Sequence, residues 1–191
     1  RRRIFAEIRK LKRGFLDINN KVKDRLRQWT FEAGTKVLDE MPAASRGTSE
    51  LILSLAEYTR KHSQYELSQE LYREAVSCRR EQLGDEHPDT LAAISGLGYL
   101  LEYQGKNAEA EPFLVEALEG RRRALGNEKP DTLQSMNDLG NLYLGDQKFE
   151  KAEALYKEAL AGRSAIYDSN SYDVLQSNNN LGRLYTKMGR Y

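Results

Sequence analysis

Four side chains that could hold a metal ion or move a proton are crowded into one short stretch, "LGDEHPDT" at residues 83–90. Carboxylates and imidazoles are common metal ligands and proton carriers, and here they are Asp85, Glu86, His87 and Asp89. The stretch recurs further along the chain as "LGNEKPDT" at residues 125–132, where Asn127 replaces the first aspartate and Lys129 replaces the histidine. A metal or acid–base site would not survive that exchange, so we interpret the stretch as architecture.

The residues common to both copies have a backbone explanation. Gly84 and Gly126 suit the end of a helix, where the chain often adopts a positive φ. Pro88 and Pro130 suit the first turn of the following helix, in which a missing N–H costs nothing. The stretch therefore predicts the end of one helix and the start of the next.

The composition argues against several other kinds of site. The single cysteine, Cys78, allows neither an internal disulfide nor a paired-cysteine metal site, and the sequence has only two histidines. We therefore expect no cofactor, no bound metal and no enzymatic activity. The best apolar run, residues 51–56, is far shorter than a bilayer requires, so we do not expect a transmembrane protein.

Most of the sequence repeats at one fixed step and without a gap. Full units begin at residues 65, 107 and 149, residues 51–64 match the second half of a unit, and Tyr191 begins a further copy. Self-similarity at such a period is typical of a solenoid, and the apolar spacing in each unit fits two amphipathic helices. The sequence therefore predicts an all-α protein with helices near residues 49–62, 65–83, 88–104, 107–125, 130–146, 149–167 and 172–188.

Three glycines lie in register within the predicted helices, namely Gly98, Gly140 and Gly182. A glycine inside a helix costs about 1 kcal/mol relative to alanine, so a recurring one needs a packing reason. We expect each of them to allow a neighbouring helix to approach closely.

The recurring small, large apolar, tyrosine and alanine positions resemble the tetratricopeptide repeat. The 42-residue step, with "LGDEHPDTL" and "ALEGRRRALG", resembles the kinesin light chain type of that repeat. The resemblance extends from Leu51 to Tyr191. It implies a right-handed superhelical solenoid of antiparallel helix pairs, whose inner surface holds peptides or partner proteins.

The resemblance also implies that the first helix of each pair lines a concave groove. Asparagine amides can bond both polar groups of a peptide backbone, and tyrosines offer a large contact area. The alternative is that these polar residues simply line a solvent-exposed helix face. The candidate groove residues are Tyr99, Glu102, Tyr103, Asn137, Asn141, Asn179, Arg183 and Lys187.

These residues favour a non-catalytic scaffold that binds an extended peptide or a helix as part of a larger assembly. The alternative is a purely structural subunit or adaptor, whose basic N-terminal helix contacts an anionic membrane, RNA or another subunit. No DNA partner is expected.

The N-terminal segment is strongly basic and lies outside the repeat. Residues 1–28 hold eleven Arg or Lys against three Asp or Glu, a local charge of +8. A partner helix or the first helix pair could cover its apolar seam, its basic face could contact anionic lipid or RNA phosphate, or it could be a retained targeting helix. The seam has nearly heptad spacing and comprises Ile4, Ile8, Leu11, Phe15, Ile18, Val22 and Trp29.

The sequence thus divides into a basic helical segment at residues 1–40, a linker at 41–48 and the solenoid at 49–191. Because the chain lacks an initiator methionine, we expect it to be a processed or trimmed product or an internal part of a longer polypeptide. The apolar side of residues 172–188 lacks its usual neighbour, which predicts either further chain or another subunit there. We expect a cytoplasmic protein, with an organelle matrix or stroma as the alternative.

Overall fold

The computed structural model describes residue 28 and residues 31–190. All regular secondary structure in these residues is helical. The chain divides into two compact units, with the boundary between Arg46 and Gly47.

In the first unit, residues 31–40 are helical and are called α1, and Ala43–Arg46 form the short helix α2. The segment 41–48 therefore contains one helical turn, while the division at residues 40 and 48 stays a prediction. The predicted apolar seam lies outside the described residues, and this holds for Ile4, Ile8, Leu11, Phe15, Ile18, Val22 and Trp29.

Within the described residues the second unit is an array of seven helices, and each predicted helix is confirmed to within one residue at either end. In chain order they are α3 Glu50–Lys61, α4 Tyr65–Leu83, α5 Pro88–Tyr103, α6 Asn107–Leu125, α7 Pro130–Gly145, α8 Phe149–Ile166 and α9 Tyr172–Lys187. Each helix packs mainly on its neighbours in the sequence, and α7 also contacts α5 and α9. We count the helix pairs as α3 with α4, α5 with α6 and α7 with α8, and we group α9 with the first helices. The first helices α3, α5, α7 and α9 therefore form one side of the array.

The helices end and begin where the repeated stretch predicts. Gly84 and Gly126 close α4 and α6 with φ of 90° and 92°. The His87 imidazole Nδ1 accepts a hydrogen bond from the backbone N–H of Asp89 at 3.2 Å, so this histidine caps α5. The connection between α8 and α9 lacks both Gly and Pro. There the Ser171 hydroxyl oxygen accepts a hydrogen bond from the N–H of Val174 at 3.4 Å and so caps α9.

The core consists of apolar side chains between successive helices, with small residues at the closest approaches. A β-carbon added to Gly98 would lie 2.8 Å from the Leu114 side chain, and one added to Gly140 would lie 2.6 Å from the Tyr156 ring. The predicted close approach is therefore confirmed at these two positions. Gly182 has no such neighbour within 4 Å.

A buried arginine recurs once in every unit, on the second helices. Arg79, Arg121 and Arg163 are 2%, 9% and 2% exposed. Each guanidinium donates to a backbone carbonyl in the first turn of the next helix, at 2.8, 3.2 and 3.1 Å from Asp89, Asp131 and Asp173 respectively. These hydrogen bonds fix the start of each first helix against the preceding second helix.

Ion pairs also connect successive second helices with the same period. Arg80 on α4 pairs with Glu116 on α6. Arg122 on α6 pairs with Glu158 on α8 at 2.8 Å. The two contacts join equivalent positions of consecutive units, so the repeat in sequence is also a repeat of interactions.

Candidate functional site

An open cleft of about 450 Å³ lies on the side of the array formed by the first helices. Helices α3, α5, α7 and α9 all contribute to its wall, together with one tyrosine from α4. Its lining residues are Glu57, Tyr72, Ala92, Ser95, Gly96, Tyr99, Gln134, Asp138, Asn141 and Gln176. The cleft is thus mainly polar, with an aromatic rim at the α5 end.

Two predicted groove residues, Tyr99 and Tyr103, form this aromatic end on α5. Their side chains are 37% and 58% exposed, which is high for large aromatic residues. The Arg60 guanidinium lies over both rings, 5.0 Å from the Tyr99 centroid and 5.6 Å from that of Tyr103. The Tyr65 ring packs against Tyr103 at a centroid distance of 6.0 Å.

The charge of Arg60 is balanced within this cluster. Its Nε and Nη2 donate to the two carboxylate oxygens of Glu57 at 2.8 and 2.7 Å. These hydrogen bonds hold the pKa of Glu57 below its usual value and raise that of Arg60. The cluster therefore presents two exposed rings beside a hydrogen-bonded Arg–Glu pair.

Two carboxyl groups with raised pKa lie near the middle of the first-helix surface. Burial raises the pKa of Glu102 to about 7, and the charge of Asp138 adds to the rise while Arg183 opposes it. Burial also raises the pKa of Asp138 to about 6, against a hydrogen bond from Gln134 at 2.8 Å and the charges of Arg121 and Arg163. Both acids therefore exchange protons close to neutral pH.

Asn137 does not line the cleft, and the expectation that it would hold a peptide is wrong. Its side chain is 1% exposed. The side-chain amide lies 2.8 Å from Nη1 of Arg163, and since a guanidinium only donates, the amide atom facing it must be the oxygen. Asn137 is thus a core residue that helps to satisfy a buried arginine.

Asn141 does line the cleft. Its Oδ1 accepts a hydrogen bond from the Tyr156 hydroxyl at 2.8 Å, which leaves its amide NH₂ group as a donor. Asn179, Arg183 and Lys187 are exposed on α9. Of the eight predicted groove residues, only Tyr99 and Asn141 belong to the wall of the cleft itself, and Tyr103 extends the aromatic rim beside them.

The cleft residues missed by the sequence reasoning include three polar ones, namely Gln134, Asp138 and Gln176. Gln134 and Asp138 precede Asn141 by seven and three positions, so all three share one face of α7. Extending the face of Asn141 toward the N-terminus of the helix, rather than starting from Asn137, would have found both, and Gln176 follows as the equivalent of Gln134 one repeat later.

The residues with which the sequence analysis began are confirmed as architecture. Glu86 pairs with Arg123 at 2.6 Å, Asp85 pairs with Arg80 at 3.3 Å, and His87 is the helix cap described above. Within residues 28 and 31–190, no group of three or more His, Cys, Asp or Glu side chains could hold a metal ion. In the same part of the chain, no helix has the length and apolar character needed to cross a membrane.

Comparison with known families agrees with the fold and its period. The sequence model described as tetratricopeptide repeat matches residues 48–123, 94–165 and 131–191. The chain belongs to the tetratricopeptide repeat family. Such repeats indicate a protein–protein interaction scaffold, and the family is generally non-catalytic.

Similar solved structures are tetratricopeptide proteins of the kinesin light chain-like type. One is BtubC (BKLC) from P. vanneervenii, with a TM-score of 0.76 and 21% identity over 88% of this chain and 68% of that chain. Another is a putative kinesin light chain of Podosopora anserina with nearly identical repeats, with a TM-score of 0.73 and 22% identity over 88% and 82% of the two chains. At this identity the likeness is one of fold. No curated protein matches the chain significantly.

Proposed function

We propose that this tetratricopeptide protein is a non-catalytic scaffold that binds an extended segment of a partner protein in the first-helix cleft. One observation carries the proposal, namely the exposed pair Tyr99 and Tyr103 at the cleft rim. Exposed aromatic rings beside a concave polar surface are typical of protein recognition sites.

The other repeats argue that this tyrosine pair is not needed for folding. The positions equivalent to Tyr99 and Tyr103 are Asn141 and Gly145 in the next repeat, and Arg183 and Lys187 in the one after. The helices α5, α7 and α9 form all the same. Exposed positions whose residues differ between repeats are free to contribute to binding, whereas positions whose residues recur in every repeat stabilise the fold.

A display experiment tests the proposal on the full 191-residue chain. A library of short linear peptides is panned against the protein, and the affinity of an enriched peptide is measured by fluorescence anisotropy. Replacing Tyr99 and Tyr103 together by alanine should weaken binding at least about tenfold, as expected for aromatic anchors. Circular dichroism should show unchanged helicity.

Tyr172→Ala is the matched control, because Tyr172 is 77% exposed and lies outside the cleft. It should leave the affinity unchanged. An enriched peptide that tolerates the loss of both cleft tyrosines would contradict the proposal, as would a failure to enrich any peptide. Either outcome would favour the alternative of a structural subunit.

The basic N-terminal segment is proposed as a second contact, on the basis of its charge of +8 over residues 1–28. Its candidate partners are a helix of another protein, anionic lipid and RNA phosphate. Binding to anionic vesicles or RNA should fall steeply between about 50 and 200 mM salt if phosphate contacts dominate. Binding to a partner helix through the apolar seam should depend on salt only weakly.

A further inference from the structure

Arg163 differs from its two sister arginines in what it reaches beyond the common carbonyl contact. Arg79 donates additionally to the backbone carbonyls of residues 47–49 at 3.2–3.4 Å. Arg121 donates to the Ser135 hydroxyl at 2.6 Å. Arg163 donates to the Ser177 hydroxyl at 3.0 Å, and also to side-chain amides of the cleft.

Two cleft glutamines on different helices share the Arg163 guanidinium. Its Nη2 donates to Oε1 of Gln134 on α7 at 2.8 Å, and its Nη1 donates to Oε1 of Gln176 on α9 at 3.0 Å. Since Arg163 is only 2% exposed, it lies beneath the cleft rather than in it. The arginine therefore joins two walls of the cleft from below.

The chemistry of the guanidinium settles which way these amides point. An arginine has only donors, so both glutamines must turn their oxygens toward it and their NH₂ groups away. The NH₂ group of Gln134 donates to Oδ1 of Asp138 at 2.8 Å. The NH₂ group of Gln176 has no acceptor in the described part of the chain, and Gln176 lines the cleft.

The cleft thus presents both donors and acceptors. Gln176 on α9 and Asn141 on α7 offer amide N–H groups, and Asp138, one turn before Asn141, offers a carboxylate whose second oxygen accepts no hydrogen bond from the described residues. In an extended chain, peptide carbonyl and N–H groups alternate along each edge of the backbone. A surface that offers both donors and acceptors can therefore bond the main chain of such a peptide.

We infer that Arg163 is a positioning residue of the cleft, and that it orients Gln134 and Gln176 so that the cleft binds the main chain of an extended peptide. The inference rests on the proposed function, because it names how the same cleft recognises its partner. The position of Gln134 is held by Ala92 in the preceding repeat, so the oriented array is confined to α7 and α9.

The first test needs no peptide and follows the side-chain amide resonances of Gln134 and Gln176 by ¹H–¹⁵N NMR. In the wild type both sets of resonances should be dispersed, and hydrogen exchange should be slowed for Gln134, whose NH₂ group is hydrogen-bonded to Asp138. Arg163→Met should move both toward the values of a free glutamine. Arg79→Met is the matched control, since Arg79 is equally buried but touches no cleft residue, and it should leave both resonances in place.

The second test uses the peptide enriched by display. Arg163→Met should weaken its binding about tenfold, whereas Arg79→Met should not change it. Arg163→Lys, which keeps the charge but loses the forked donor geometry, should fail to restore the affinity. Gln176→Leu leaves the buried arginine in place and should weaken binding by a similar factor. A loss of affinity in this variant could not be attributed to misfolding caused by removal of the arginine.

Equal losses of affinity in Arg163→Met and Arg79→Met would overturn the inference, since both would then act only through stability. Unchanged glutamine resonances in Arg163→Met would overturn it as well. If display enriches no peptide, the proposed function fails while the resonances still decide whether Arg163 orients the amides. A peptide whose binding survives methylation of its backbone nitrogens would show that the main chain is not what the cleft reads.

Discussion

The guanidinium of Arg60 lies 5.0 Å from the centroid of the Tyr99 ring and is hydrogen-bonded on its edge by both oxygens of Glu57. The ring is therefore held from α3 although it belongs to α5. Side chains that are fixed before a partner arrives lose less conformational entropy on binding. Side chains of α3, in the neighbouring repeat, thus order the aromatic rim before a partner binds.

Replacing Arg60 by alanine should lower the free energy of unfolding by about 1–2 kcal/mol, because the paired hydrogen bonds and the two ring contacts are lost together. Urea denaturation measures this change. Lys61→Ala is the control, since Lys61 also pairs with Glu57, at 3.2 Å, but is 63% exposed. An exposed pair of this kind contributes about 0.5 kcal/mol or less. Equal effects of the two substitutions would contradict the assignment.

Glu102 and Asp138 should make the folded protein less stable as the pH rises from about 4 to about 7. Their pKa values are raised in the folded state, to about 7 and about 6, so the folded protein binds more protons than the unfolded chain in that range. Glu102→Gln and Asp138→Asn should each remove part of this slope. Each should raise the free energy of unfolding at pH 8 by about 1 kcal/mol.

The measurement is urea denaturation at several pH values, compared between variant and wild type. The comparison is necessary because other carboxylates act in the opposite sense. Glu57 and Asp146 have lowered pKa values, so their contribution is lost as the pH falls through the acid range. A variant with the wild-type pH slope would show that the acid replaced in it does not carry the effect.

Alanine at two equivalent glycines should have opposite effects. Gly140→Ala should destabilise the protein by about 1–3 kcal/mol, because the new methyl group would overlap the Tyr156 ring. Gly182→Ala has open space and should stabilise α9 by about 0.5–1 kcal/mol through helix propensity. Thermal unfolding of both variants checks the pair, and a loss of stability at Gly182 would reveal a neighbour for α9.

Gln147 has a φ of 59°, in the left-handed region, where the equivalent residues of two other repeats are Gly105 and Gly189. Gln147→Gly should therefore raise the free energy of unfolding by about 0.5 kcal/mol, because relief of strain exceeds the added chain entropy. Gly105→Ala should lower it by about 1 kcal/mol, since nothing but backbone strain opposes the new methyl group. Chemical denaturation distinguishes these signs.

The fold could be predicted from the sequence because its information repeats. Gly84 and Pro88, with their counterparts Gly126 and Pro130 in the next unit, place each turn, and the recurring apolar positions place each helix between turns. The N-terminal part of the chain, residues 1–46, has no repeat and so offers no such internal comparison. Its apolar seam rests on spacing alone and stays a prediction.

The cleft was predicted less well, because a period says which positions recur and not which way they face. Asn137 and Asp138 are adjacent in the sequence, yet one is in the core and the other lines the cleft. A step of one residue turns a side chain by about 100° around a helix. How α7 is rotated against α9 depends on packing, and in particular on the buried Arg163, which the pattern alone did not single out.

The recurring buried arginines also bear on how such an array can change its length. Arg79 meets the start of α5, Arg121 the start of α7 and Arg163 the start of α9, always ten positions ahead along the chain. An insertion or deletion inside one of these ten-residue intervals would leave a buried guanidinium without its acceptor, whereas duplication or loss of one whole unit would keep every interval intact. Variation by unequal recombination is therefore compatible with these contacts when it proceeds in steps of one repeat.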